Sequence, residues 1–143
     1  MKKIILFLLF PTLIINALFF VPGIVFNSFA QETVSNVEQA FLIIKHEIST
    51  DALSGKSLVV HPVPIKGGTS IPTWGKTIRV PTSYDKAWFF FVDDQPQANW
   101  GHKCRYFFVG TRSGRYSIIH AKTPPDDWSQ MVPFPLEKSL MDE

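Results

Sequence analysis

Few side chains in this sequence have the chemical type and the spacing that catalysis or metal binding requires. His102 and Cys104 lie two residues apart, so on an extended strand their side chains would point to the same face. A thiolate–imidazole pair, or half of a zinc site, needs this proximity. The sequence has no CxxC or HxxxH pair to supply further ligands, and His120 would join only through a favourable strand register. We therefore expect an inert, buried thiol at Cys104, no catalytic residue, no metal site and no cofactor.

The paired carboxylates Asp93 and Asp94 form a second candidate, because they follow an apolar run and begin a loop. Such a pair can bind a cation or share a proton. Aspartates in this position also stabilise turns through hydrogen bonds that their carboxylates accept from the backbone. We favour the turn interpretation for both residues.

The loop that these aspartates begin carries an aromatic residue, Trp100, next to Asn99 and close to His102. An aromatic side chain at a loop tip is typical of recognition surfaces. The same side chain could instead fold back over the sheet, and the sequence leaves both alternatives open. The candidate binding residues are Asp93, Asp94, Asn99, Trp100 and His102.

The candidate loop lies inside a predicted antiparallel meander. Three runs of aromatic and β-branched residues, Trp88–Val92, Tyr106–Val109 and Tyr116–Ala121, are separated by segments rich in Gly, Pro, Asn, Asp and Ser. Runs punctuated in this way are typical of consecutive antiparallel strands. Two further strands are predicted at Leu58–Val63 and Thr77–Val80, with a loop at Lys66–Trp74 between them.

An amphipathic helix is predicted before the strands. Ser35 and Glu38 have the spacing of a capping box. Behind them, apolar residues recur at the spacing of one helical stripe: Val37, Ala40, Phe41, Ile44 and Ile48. The helix should end near Ser49–Leu53. The sequence thus predicts an α+β fold with one N-terminal helix packed on an antiparallel meander of about five strands.

Both ends of the chain differ from this predicted domain, residues 31–122. Residues 1–30 begin with a basic Met1–Lys3, continue as an apolar run and end with small residues at Ser28–Ala30, which is the pattern of a cleavable signal peptide. A retained membrane anchor is the alternative, but Pro11 and Pro22 interrupt the run. We expect a secreted or periplasmic protein. Residues 123–143 are rich in proline and are predicted to be an extended surface tail.

The charge balance excludes one class of partner. The chain has 14 Lys and Arg residues against 12 Asp and Glu, and the two lysines of residues 1–30 account for the difference. The remaining residues are therefore formally neutral. A nucleic-acid-binding protein would need clustered basic residues, so no nucleic-acid partner is expected.

The predicted strands are apolar on both faces. Along Trp88–Val92 and along Tyr106–Val109, successive aromatic and aliphatic side chains point to opposite sides of the sheet. One helix covers one face, so we expect the other face to lack complete internal cover. An exposed apolar face favours binding to another protein or self-association.

The central segment Trp88–Val109, with its Asp93-Asp94 and Asn99-Trp100-Gly101-His102, resembles a region of secreted bacterial proteins. This region precedes the catalytic domain of legumain-like (caspase-clan) cysteine peptidases, and the similarity covers roughly residues 55–128. The resemblance implies a pro- or accessory domain whose catalytic His and Cys lie elsewhere. His102 and Cys104 do not match that dyad, and Lys103 stands where such motifs usually have a proline.

From these observations we expect a secreted, non-catalytic module that binds or shields a partner, such as a secreted protein or a peptidase domain. The first alternative is a free-standing inhibitor or ligand-binding protein that uses the loop Asp94–His102. The second is a small metal- or thiol-dependent enzyme centred on His102 and Cys104. A membrane contact is expected only through an uncleaved signal segment.

Overall fold

The structure, a computed structural model, describes residues 33–48 and 55–134. The predicted signal peptide lies outside the described residues. Within them the chain forms one helix and eight strands. The elements are α1 (Val37–Ile44), β1 (Ser57–Val60), β2 (Ile65–Lys66), β3 (Ser70–Thr73), β4 (Lys76–Arg79), β5 (Lys86–Asp93), β6 (Cys104–Gly110), β7 (Tyr116–Ala121) and β8 (Val132–Pro133).

Six of the strands build one antiparallel sheet. Its order is β7-β6-β5-β1-β8, and β2 pairs with the first part of β5. The strands β3 and β4 form a separate hairpin. The predicted meander is confirmed as β5-β6-β7, in which Phe107 lies between Phe90 on one side and Ile118 on the other. The antiparallel α+β arrangement is therefore confirmed, with more strands than the predicted five.

The helix α1 begins one residue later than predicted. Asn36 is the N-cap in place of Ser35, because its side chain accepts a hydrogen bond from the N–H of Gln39 at 2.8 Å. The Gln39 side chain in turn accepts from the N–H of Ser35 at 2.9 Å, which resembles the reciprocal pattern of a capping box. The helix ends at Ile44, with Lys45 as its C-cap. The predicted end near Ser49–Leu53 is therefore wrong, because residues 45–48 already form a turn.

The segment Lys66–Trp74 is not the loop that the sequence predicted. It contains β3, which pairs with β4 through a tight turn at Gly75, a residue with φ of 77°. Pro72 cannot donate a hydrogen bond to a strand ladder. The backbone groups of Pro72 point away from β4, however. The carbonyl of Pro72 accepts a hydrogen bond from the N–H of Asp126 at 3.0 Å. The lack of an N–H at Pro72 therefore removes no hydrogen bond between β3 and β4.

The predicted surface tail also contributes to the fold. Its residues Val132 and Pro133 form β8 and pair with β1. Phe134 is only 6% exposed and packs on Phe41, with ring centroids 4.5 Å apart. The described domain thus extends to Phe134, well beyond the boundary expected at residue 122.

Both faces of the sheet are covered. The helix α1 and Phe134 cover one face, formed by Leu58, Val60, Trp88, Phe90, Val92, Phe107 and Val109. The β3-β4 hairpin and the neighbouring Val80, Tyr84 and Met131 cover the other, formed by Val59, Ala87, Phe89, Phe91, Cys104, Tyr106 and Phe108. The expectation of an uncovered second face is therefore wrong for the described residues. Its cover comes from the hairpin, whose strand β3 lies in the predicted loop, and from the predicted tail, where Met131 packs on this face and Trp128 contacts Phe91.

We predict that Phe90→Ala lowers the free energy of unfolding by about 3–5 kcal/mol, the cost of a large cavity in a packed core. Phe90 is completely buried and contacts the rings of Phe41 and Phe134. Denaturant unfolding followed by circular dichroism measures the effect. The control is Trp100→Ala, which removes a side chain that is 80% exposed and should change stability by less than about 0.5 kcal/mol. Equal effects of the two substitutions would contradict this description of the core.

Candidate functional site

The loop between β5 and β6 is closed at its base by a buried pair of side chains. The Nε2 atom of His102 lies 2.9 Å from Oδ1 of Asp93, although the geometry of this contact is not that of a hydrogen bond. The Nδ1 atom of His102 lies 2.6 Å from the carbonyl of Trp100, so Nδ1 carries a proton and donates it. Asp93 also accepts a hydrogen bond from the N–H of Gln95 at 2.9 Å. Both side chains thus hold the loop in shape, as the turn interpretation of Asp93 predicts.

Asp94 is held by a second, charged network. Arg105 donates two hydrogen bonds to its carboxylate, at 3.0 and 2.7 Å, and the ammonium group of Lys56 lies 3.2 Å away. Partial burial opposes ionisation, but Arg105 and Lys56 offset it and hold the pKa of Asp94 below its ordinary value. Arg105 also donates to the carbonyl of Glu47 at 3.0 Å. The network therefore ties β5 and β6 to the turn that follows α1.

These contacts divide the candidate binding residues into two groups. Asp93 and His102 are buried in the loop base, and Asp94 is neutralised by two cations. Asn99 and Trp100 remain exposed at the loop tip, where the Trp100 side chain is 80% exposed. The structure therefore leaves the tip, and not the carboxylates, available to a binding partner. Trp100 does not fold back over the sheet.

A surface cavity of about 860 Å³ lies beside this loop. We name it the hairpin cleft, because the turn of the β3-β4 hairpin forms one wall and the ends of β6 and β7 form the other. Its volume is within the range of small-molecule sites, about 300–1,000 Å³. The cleft is lined by Trp74, Gly75, Lys76, Ile78, Asp94, Lys103, Cys104, Ile119, His120, Ala121, Lys122 and Thr123.

Thr123 fixes the shape of the hairpin cleft. Its carbonyl accepts hydrogen bonds from the hydroxyl of Tyr106 at 2.8 Å and from the thiol of Cys104 at 3.2 Å. Its hydroxyl donates to the hydroxyl of Thr73 at 3.0 Å, and Thr73 donates to the carbonyl of Lys76 at 3.1 Å. One residue therefore connects the sheet to the hairpin across the floor of the cleft.

One exposed tryptophan lines the cleft, and a second lies in the neighbouring loop. Trp74 lines the cleft and is 77% exposed. Trp100 is next to Gly101, whose backbone packs so closely on the chain after β7 that a Cβ atom there would lie 3.0 Å from the carbonyl of Lys122. The loop tip thus lies against a segment that lines the cleft. Exposed tryptophans are enriched among residues that dominate binding energies.

The rim of the cleft is positively charged. Lys76, Lys103 and Lys122 are exposed, and no ion pair joins any of them to another described residue. The only acid in the lining is Asp94, which Arg105 and Lys56 already neutralise. The floor, in contrast, is largely apolar. The cleft therefore combines an apolar interior with uncompensated positive charge at its edge.

Cys104 does not form a catalytic pair with a histidine. Burial raises the pKa of its thiol to about 11, and the neighbouring charge of Asp93 adds to this effect. The strand register places His120 opposite Arg105, on the other face of the sheet from Cys104. Within residues 33–48 and 55–134, no group of three His, Cys, Asp or Glu side chains is arranged to hold a metal ion. The thiol is buried and protonated, as the sequence indicated.

Sequence reasoning missed the cleft residues Trp74, Lys76, Lys103 and Lys122. Trp74 falls in the predicted loop Lys66–Trp74, and none of the three lysines is among the candidate binding residues. A usable signal was present in the order of residues, since Trp74-Gly75 separates two short alternating segments, which is a pattern typical of a hairpin. The proximity of this hairpin to the end of β7, by contrast, depends on packing alone.

The raised pKa of Cys104 predicts how stability depends on pH. An unfolded thiol loses its proton near the ordinary value of 9.0, whereas the folded thiol keeps it until about pH 11. The unfolded state is therefore favoured by deprotonation, and the free energy of unfolding should fall as pH rises from about 9 towards 11. Burial raises the pKa of Tyr106 as well, so the wild type must be compared with Cys104→Ala.

The free energy of unfolding of Cys104→Ala, measured in denaturant across this pH range, should fall less steeply than that of the wild type. A thiol reagent should also label native Cys104 far more slowly than the unfolded chain at neutral pH, because the thiolate fraction is roughly 100-fold smaller. Identical pH profiles for the two proteins, together with rapid native labelling, would show that the thiol is exposed.

None of the described helices has the length and apolar character needed to cross a membrane. Comparison of the chain with protein-family models, with curated proteins and with solved structures found no match. The resemblance to the region that precedes legumain-like peptidase domains therefore stays a prediction.

Proposed function

We propose that this chain is a non-catalytic binding module and that the hairpin cleft is its binding site. The observation that supports this proposal most directly is the combination of a cavity of about 860 Å³ with an exposed tryptophan, Trp74, in its wall. Both sheet faces are covered in the described residues. The cleft therefore offers apolar surface that the faces of the sheet do not.

The charges of the cleft favour an anionic ligand with an apolar body. Lys76, Lys103 and Lys122 would attract a carboxylate, sulfonate or phosphate group at the rim. Ile78 and Ile119, with the indole of Trp74, would contact an aliphatic or aromatic portion in the interior. This arrangement, apolar walls with a few polar groups that fix orientation, is general among small-ligand sites.

A hydrolytic role has little support in the arrangement of the candidate groups. A cysteine nucleophile needs a lowered pKa and an adjacent base, whereas the thiol of Cys104 has a raised pKa and donates its hydrogen bond to a carbonyl. His102 is directed towards Asp93 and the Trp100 carbonyl. Neither residue is positioned to activate a substrate in the cleft.

Docking of a partner protein around the cleft is a second candidate function. Trp74 and Trp100 are 77% and 80% exposed, and tryptophans of this kind frequently anchor protein interfaces. The resemblance seen in the sequence would make this partner a secreted peptidase domain that the module shields. In that case the two indoles, and not the lysines, would dominate binding.

We expect anilinonaphthalene sulfonate, an anion with an aromatic body, to bind the folded protein in the cleft. Its uncharged analogue phenylnaphthylamine should bind more weakly. Replacement of Lys103 or Lys122 by Gln should weaken binding of the sulfonate about fivefold, or about 1 kcal/mol, and should leave the analogue unaffected. Trp74→Ala should weaken both. Fluorescence titration gives each affinity.

The matched control is Arg112→Gln, because Arg112 is exposed and pairs with Asp85, outside the cleft. Circular dichroism must show that every variant is folded, since the sulfonate also binds loosened cores. If the lysine variants and the Arg112 variant bind the sulfonate equally, the cleft is not the site. If Trp74→Ala and Trp100→Ala lose affinity for a protein partner and the lysine variants do not, docking of a protein is the function of the cleft and binding of a small ligand is not.

We also propose that the module works outside the cytoplasm. The proposal is supported by the basic start, the apolar run and the small residues of Ser28–Ala30. When the chain is expressed in a bacterial host, mass spectrometry of the exported protein should find Gln31 at its N-terminus. Recovery of the intact chain in the membrane fraction alone would show that the segment is a retained anchor.

A further inference from the structure

The outer edge of β7 is open among the described residues. β7 pairs with β6 on one side, and no described strand pairs with it on the other. None of the backbone hydrogen bonds outside the strands and helix involves a residue of Tyr116–Ala121. A row of unpaired N–H and C=O groups of this kind is a template for another strand.

The hydrogen-bond pattern determines which residues of β7 point outwards. The N–H of Gly110 donates to the carbonyl of Arg115 at 2.8 Å. Since bonded and non-bonded pairs alternate along an antiparallel ladder, every second residue of β7 from this point bonds to β6: Ser117, Ile119 and Ala121. The outward N–H and C=O groups therefore belong to Tyr116, Ile118 and His120.

The other strand edges of the fold carry features that block strand addition. β8 is two residues long and contains Pro133, and β3 contains Pro72. β4 carries the charged Lys76 and Arg79. Prolines, charges and short length all discourage pairing at an edge. β7 is six residues long and contains neither a proline nor an Asp, Glu, Lys or Arg residue.

We propose that two copies of this chain associate through antiparallel pairing of their β7 strands. The outward backbone groups lie symmetrically about Ile118. A two-fold axis at this residue therefore places Ile118 of one copy opposite Ile118 of the second copy. Tyr116 of one copy then faces His120 of the second copy, and each facing pair exchanges two backbone hydrogen bonds. Aromatic and β-branched side chains in facing positions add to the stability of such pairs.

The same register avoids facing like charges. Arg115 would lie opposite Ala121 of the second copy, and Lys122 opposite Gly114. An isologous contact of this type closes on itself and gives a dimer instead of a filament. Because the axis is perpendicular to the sheet, both copies of α1 lie on one side of the continuous sheet and both hairpin clefts on the other. The proposal concerns the outward backbone groups of β7, although the end of this strand also lines the cleft, and it does not depend on the proposed function.

Proline substitution at an outward position tests the pairing. His120→Pro removes an outward N–H without removing a donor from the β6-β7 ladder, which is a position where edge strands tolerate proline. His120→Ala removes the same side chain but keeps the N–H. Sedimentation of the full chain in a density-matched non-ionic detergent should give a dimer for the wild type and for His120→Ala, and loss of the dimer for His120→Pro.

Cysteine cross-linking provides a second test that does not depend on the folding of the proline variant. In the proposed register the Cα atoms of the two Ile118 residues lie about 5.5 Å apart, which is within disulfide range. Oxidised Ile118→Cys should therefore run as a dimer on a non-reducing gel, whereas Arg112→Cys, in the exposed turn before β7, should not. A monomeric wild type at micromolar concentration, or equal cross-linking of the two cysteine variants, would overturn the proposal.

Discussion

The fold depends on one constraint, which is that β5 and β6 are apolar on both faces. A sheet of this kind must be covered twice before it is stable in water. The helix α1 with Phe134 covers one face, and the β3-β4 hairpin covers the other. The hairpin cleft lies between the turn of this hairpin and the ends of β6 and β7. The proposed binding site is thus a consequence of how the second face is covered.

Polar contacts fix the elements around this site. Thr123 connects the sheet to the hairpin. The ion pair of Asp94 with Arg105 joins the base of the loop to the turn after α1. Polar contacts of the same kind also involve Asp93 and His102, two of the side chains that the sequence suggests as candidates for metal binding or catalysis. In the lining of the cleft, by contrast, Lys76, Lys103 and Lys122 form no ion pair with another described residue, which supports the proposal of an anionic ligand there.

The sequence predicted the elements whose signals are local. The β5-β6-β7 meander and the stripe of α1 could be identified because apolar runs and helical spacing do not depend on distant residues. The strand predicted at Thr77–Val80 corresponds to β4. Its partner β3 was missed because Gly67, Gly68 and Pro72 are residues typical of a loop. β8 was missed because a strand of two residues is too short to show an alternating pattern of apolar and polar side chains. The pairing of Asp94 with Arg105, eleven residues apart, follows from strand register, which the sequence does not determine.

The most direct test of the central claim, that internal elements cover both faces of β5 and β6, is native-state amide hydrogen exchange at low denaturant concentrations. The amides of Phe89, Phe91, Phe107 and their neighbours should exchange only through global unfolding, with the free energy measured by denaturation. Exchange of the β5 and β6 amides through local opening, at a free energy far below that of global unfolding, would contradict the account. The second face would then lack a stable cover, and the hairpin cleft would have no fixed wall.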